Sequence, residues 1–311
     1  MAFLPAERFI ILIIATLALL DAGLLLLKGV GIDVVGYASL IACGALLLLL
    51  GQFYRRFRHN DRIAATATAA GLFVLFTIAG SIFNYLLLPS HFPQIDEKLM
   101  RLDGMLGYSW PEVVGWVARY PVIGLVLHVV YTSSLIQLLV VILVLGFSGR
   151  IARQQHFLLT GVIGALLAII FWFFLPSIGP SAFHGLPRQV LESMPLAVSP
   201  TYGAELARVL SQGSNYLTPN NALGLIAFPS FHMVMACMSV FFLTRLRFVF
   251  VPAVFLNILM MPAILVHGGH HLVDLIGGAA TFAIAYTSAG YLLEKATQAQ
   301  SKKGQLTKAL P

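Results

Sequence analysis

Eight stretches of this chain are apolar over enough residues to cross a bilayer, and nothing else in it restricts the fold as strongly. Lipid offers backbone N–H and C=O groups no partner, so a crossing segment must satisfy its own, as a helix does. A hydrocarbon core of about 30 Å asks for roughly 20 apolar residues at about 1.5 Å each. The candidate spans are residues 9–27, 34–53, 63–88, 122–147, 157–175, 229–245, 248–266 and 272–293. Of the 311 residues 59% are hydrophobic and only 10% charged, which excludes an ordinary soluble domain. The pattern predicts an all-α fold, a polytopic membrane helical bundle of about eight transmembrane helices. The first span is too long and too leucine-rich for a cleaved signal, and no small-residue cleavage site follows it. Cys43 and Cys237 lie inside apolar runs and read as small core residues.

The net charge of +7 does not point to nucleic acid, because the basic residues cluster at span ends. With eight spans and the N-terminus in the cytoplasm, thirteen of the nineteen Lys and Arg fall on the inner side. That split favours cytoplasmic termini. Two long polar connectors, 89–121 and 176–228, then lie outside. In the first, Ile95, Leu99, Leu102 and Leu106 recur at helical spacing, which predicts a helix lying flat at the interface, with Trp110 and Trp116 in the headgroup belt. The tail after residue 293 carries four lysines and reads as disordered.

The chemistry concentrates near the start of the last span, in His267-Gly268-Gly269-His270-His271-Leu272-Val273-Asp274. His270 and Asp274 are four apart and share a helix face. A carboxylate there can hold the proton of one ring nitrogen and leave the other free to attack. Ionisable residues at the edge of an apolar span are functional candidates by default. The same residues also read as an H-x-x-H-H box for a di-iron centre. The other histidines stand singly, with no second box, so the expected metal and cofactor content is none.

A second motif opens the sixth span: Phe228-Pro229-Ser230-Phe231-His232. Proline suits a first helical turn, whose free N–H groups make an anion site. Ser230 adds a hydroxyl and His232 a proton donor.

Together the two motifs resemble the type 2 phosphatidic acid phosphatase superfamily of lipid phosphatases and phosphotransferases, whose members carry P-S-G-H and S-R-x5-H-x3-D. The resemblance implies that His270 is the catalytic nucleophile, that Asp274 orients it and that His232 protonates the leaving oxygen. It implies a phosphate site at Ser230. The chain departs from the pattern at three points: Phe231 replaces the glycine, and Ala263 and Ile264 replace the Ser-Arg pair. In place of the basic K-x6-R-P element stands Leu175-Pro176-Ser177-Ile178-Gly179-Pro180, similar to the Pro-rich element of the aureobasidin-sensitive inositol phosphorylceramide synthase branch. Gly179 is therefore expected beside the substrate. Arg188 is the candidate for the missing phosphate clamp, and His271 and His267 are candidates to meet phosphate as cations.

The resemblance covers about residues 63–293, a six-helix catalytic core, with 1–62 as a two-helix addition and 294–311 as a cytoplasmic tail. It implies an integral enzyme of the membrane, expected in a bacterial inner membrane with its site facing the periplasm. Its partners would be a lipid phosphoester and, for a transferase, an alcohol or second lipid. A transporter or scaffold without activity is the rival from a different class.

Overall fold

The computed structural model describes residues 3–309. Thirteen α-helices account for nearly all of the regular structure there. The first three are α1 (Pro5–Lys28), α2 (Val34–Phe53) and α3 (Asp61–Leu86), with a π-helical turn over Tyr54–Arg58. Both α1 and α2 pack on α3. At one end of α1, Arg55 donates two hydrogen bonds to Glu7, at 2.7 and 2.8 Å, and both side chains are buried. A buried pair of this kind survives only with its lone pairs and protons used, and Glu7 also accepts from the Leu4 N–H at 2.7 Å.

The first connector forms α4 (Asp96–Met105) and α5 (Trp110–Ala118). Its buried face is not the leucine stripe. Asp96, Leu99 and Asp103 are buried, whereas Leu102 and Leu106 are exposed. Trp110 is also buried, its Nε1 donating to the Leu265 carbonyl at 3.0 Å, so only Trp116 is free to sit in a headgroup belt. The fourth expected span is two helices, α6 (Pro121–Thr132) and α7 (Ser134–Phe147), and α5 and α6 meet at 118°.

Next come α8 (Ile151–Phe174) and the second connector, which holds α9 (Arg188–Ser193) and α10 (Pro200–Gln212). A two-residue parallel bridge joins β1 (Gly31–Ile32) to β2 (Tyr216–Leu217), tying this connector to the α1–α2 turn. The chain closes with α11 (Phe231–Phe241), α12 (Arg247–His267) and α13 (Leu272–Ala309). The backbone of the expected disordered tail is thus a continuation of α13 as far as Ala309. Residues 294–309 are rich in helix formers and contain no proline, so nothing stops the helix where the apolar stretch ends.

Six helices are individually long and apolar enough to cross a membrane, and a bent pair makes up to seven. That makes the chain an integral membrane protein. The eight apolar segments are all helical, but α11 has only 11 residues. Val234 lies beside Gly164 and Met238 beside Gly161, so α11 and α8 run antiparallel. His232 is therefore level with a point two turns, or about 11 Å, short of the end of α8. The start of α11 is recessed inside the bundle.

Candidate active site

The turn between α12 and α13 is held from several sides. Gly269 has φ +58°, a left-handed conformation that favours glycine, and a Cβ there would lie 2.8 Å from Ser181 Oγ. The His267 carbonyl accepts from Val198 N–H at 2.8 Å, and the His270 carbonyl from Tyr108 Oη–H at 3.1 Å. Burial pushes the Tyr108 hydroxyl well above the ordinary phenol range, with the charges of Asp103 and Asp274 adding to it, so it stays a donor.

His270 Nδ1 lies 2.9 Å from Asp274 Oδ2, and the same oxygen accepts the His271 N–H at 2.9 Å. Asp274 is fully buried and His270 nearly so. The Asp274 carbonyl accepts the Ser230 N–H at 3.1 Å, which couples the start of α13 to the start of α11. That coupling needs a glycine at 278, where a Cβ would stand 2.4 Å from the Ser230 carbonyl oxygen. The two sequence motifs thus meet. The His232 and His270 rings are 6.3 Å apart between centroids at 68°, and Tyr131 stacks on the other face of His232 at 4.2 Å. With Nδ1 committed to the carboxylate, His270 Nε2 makes no hydrogen bond among the described residues.

Both imidazoles line a cavity of about 300 Å³ walled mainly by α3, α8, α11 and the 223–227 segment. No Lys or Arg among the described residues lines it. The N–H groups of Phe231 and His232, at the first turn of α11, have no partner among the described residues. An unpaired helix N-terminus of this kind attracts anions.

None of the five expected binding residues lines this cavity. Ser230 is buried and caps α11 by accepting the Met233 N–H at 3.4 Å. Gly179, at φ +79°, gives its N–H to Asp96 at 2.9 Å, and a Cβ on it would lie 2.3 Å from the Gly269 carbonyl oxygen. It lets the connector pass directly behind the histidine turn. Arg188 is on α9, 89% exposed in its side chain and paired with Glu192 at 2.6 Å. A one-turn spacing to an acid on its own helix satisfies it away from the cavity. His267 Nε2 lies 2.9 Å from the Gly124 carbonyl.

His271 points away from the cavity, between two acids of α4. Its Nδ1 is 2.7 Å from Asp103 Oδ2 and its Nε2 is 3.4 Å from Asp96 Oδ1. Asp96 also accepts from Ser177 Oγ at 2.8 Å and from the N–H of Ile178 and Gly179. Asp103 further accepts the Leu272 N–H at 3.0 Å. Burial opposes charge on His271, but hydrogen bonds to Asp103 and Asp96 and the nearby Asp274 charge outweigh it and raise its pKa to about 9. An ordinary histidine titrates near 6.5, so the folded state holds this proton more tightly than the unfolded one. The stabilisation is complete below about pH 6.5 and is lost as pH rises through about 9. The thermal midpoint in detergent should fall across that window. The matching loss is roughly 2–4 kcal/mol. A His271→Gln variant should be less stable at pH 7 and much flatter with pH; an equally steep variant would place the titration elsewhere.

The α4 acids were within reach of sequence reasoning: Asp96 and Asp103 are seven apart and so share a helix face. Tyr131 and Tyr108 gave no such signal.

Among the described residues no group of three or more His, Cys, Asp or Glu is placed to hold a metal ion. Comparison with known proteins finds no match among curated proteins or solved structures. A family model, that of the PAP2 superfamily, matches residues 97–288. That range is well over half of the chain, runs from α4 into α13 and holds His232, His270 and Asp274, and on that match the chain belongs to the PAP2 superfamily, a fold of lipid phosphatase and phosphotransferase type.

Proposed function

We propose that the protein turns over a lipid phosphoester through a phosphohistidine at His270. The observation that carries the reading is the 2.9 Å contact of His270 Nδ1 with the buried Asp274 carboxylate, which leaves Nε2 unpaired in a cavity shared with His232. In the first step Nε2 attacks phosphorus and the bond to the leaving oxygen breaks as His232 supplies that oxygen with a proton. The Asp274 charge stabilises the ring that has become cationic. In the second step water or an alcohol attacks phosphorus, the P–N bond breaks, and His232 takes the incoming proton.

The phosphoryl oxygens are held without arginine. The unpaired N–H groups of Phe231 and His232 point to that role, helped by the positive end of α11. Arg188 pairs with Glu192 and His271 with Asp103, so the reading gives neither of them the phosphate. Ser230 and Gly179 act on the site by positioning its backbone.

The Pro-Ser-Ile-Gly-Pro element favours the inositol phosphorylceramide synthase-like branch, in which an alcohol rather than water accepts the phosphoryl head group. The test is to incubate purified protein with phospholipid labelled at phosphorus, with and without candidate alcohols. Label released to water as inorganic phosphate from a monoester, or as a phosphomonoester from a diester, marks a hydrolase; a new phosphoester with the added alcohol marks a transferase; unchanged lipid in every arm removes both.

The basic-residue split favours cytoplasmic termini and a site facing the periplasm of a bacterial inner membrane. A reporter fused after residue 311 should behave as cytoplasmic and one inserted within 177–220 as external. Finding both on one side contradicts the orientation.

A further inference from the structure

The cavity extends far beyond the histidines. On α8 its lining runs from Ile169 to Phe157, twelve residues or about 18 Å along the helix. One leaflet of a bilayer core is about 15 Å deep. The end away from His232 is closed by Ile10, Leu72, Phe157 and Met238, each at most 1% exposed. Polar groups gather at the other end. Asn84, Ser81 and Thr77 of α3 line the cavity on one helical face, and the buried Asn84 leaves its Oδ1 without a partner. A volume of about 300 Å³ is at the small end of ligand pockets, which does not suit two chains side by side.

We propose that this cavity takes a single aliphatic chain of the lipid phosphoester, and that Ile10 of α1 limits the chain's length. The inference deepens the phosphoester reading above and rests on it for the orientation of the head group. The phosphate sits at His270, a hydroxyl or amide N–H of the lipid backbone donates to Asn84 Oδ1, and the chain runs inward to Ile10. The reacting groups lie within the matched residues 97–288, but Ile10 and the α3 wall do not. Selection of the chain therefore comes from a part of the protein outside that match. Ile10 is held in place one turn from Glu7, whose buried pairing with Arg55 anchors the start of α1.

The test uses the full chain in lipid nanodiscs. Single-chain alkyl phosphates carrying a photoreactive group on the terminal carbon are crosslinked and the labelled peptides mapped. A long probe should label the peptide holding Ile10 or that holding Phe157, in competition with the unlabelled compound. Shorter probes should move the label toward Asn84. Label confined to the lipid-facing side of α2 or α12, without competition, overturns the proposal.

Turnover gives a second, separate measure. Ile10→Phe should lower kcat/KM for the longest accepted chain relative to a shorter one by at least about tenfold, the usual cost of one methylene too many. Ile10→Ala should shift the preference to longer chains. A ratio equal to the unsubstituted protein's overturns the role of Ile10. Depth-dependent labelling without any turnover would keep the cavity and remove the phosphoester reading; turnover without cavity labelling would do the reverse.

Discussion

Substitution of His270 by alanine is expected to abolish turnover of a lipid phosphoester and to leave none of the base-stable, acid-labile label that a phosphohistidine would give on the protein. In the proposed reaction the phosphoryl group bonds to Nε2, and no other unpaired imidazole with a carboxylate behind it faces the cavity among the described residues. The measurement is acid- and base-quench trapping of the labelled phosphoenzyme followed by peptide mapping. Alanine also strands the buried Asp274 carboxylate, which costs stability on its own. His270→Gln, whose amide can still donate to Asp274, is therefore the companion variant, and it should fold and be equally inactive. Asp274→Asn should also fold, because its carbonyl oxygen can accept both bonds that Oδ2 accepts now, from His270 and from the His271 N–H. It removes the charge that stabilises the attacking ring, so a loss of roughly 10²-fold or more is expected. An active His270→Gln protein, or label mapped to His232, would overturn the assignment.

Substitution of His232 by alanine is expected to slow cleavage of an ordinary lipid alcohol by roughly 10²–10⁴-fold, the range for losing a general acid. The ring has no carboxylate partner. It stacks on Tyr131 and lies 6.3 Å from His270 between ring centroids, both imidazoles lining one cavity. The loss should shrink for an aryl phosphate, whose leaving group departs without a proton. It should also leave phosphoenzyme detectable with that substrate. Comparing the two leaving groups in steady-state assays separates acid catalysis from collapse of the site: equal losses for both would mean that His232 supports the site only through packing.

Much of this molecule was legible in the sequence. Apolar length determined the helical class, because lipid leaves the backbone no choice but to bond to itself, but of the eight expected spans the fourth is two helices and the sixth is the 11-residue α11. The spacing of His270 and Asp274 foretold their contact, but His270 lies in the turn before α13, so the turn folding back over the first helical residues makes it rather than a shared helix face. The Ser230-Phe231-His232 start was recognisable as a helix opening, with the difference that Pro229 stands before the Ser230 cap and not in the first turn.

The residues whose surroundings the sequence did not show are those whose partners lie far away along the chain. His271 was a candidate for substrate contact because it follows the reactive His270 in sequence, and Gly179 because it lies in the Pro-rich element. Only the packing of α4 beneath the turn brings Asp96 and Asp103 to them, across some 168 residues in the case of Asp103 and His271. Arg188 looked available until α9 formed and placed Glu192 one turn away. The recess of His232, its stacking on Tyr131 and the closed cavity down to Ile10 are likewise tertiary facts. Periodicity records which face of one helix is apolar, but a cavity exists only where several such faces fail to close on one another, and that depends on how α1, α3, α8 and α11 pack together.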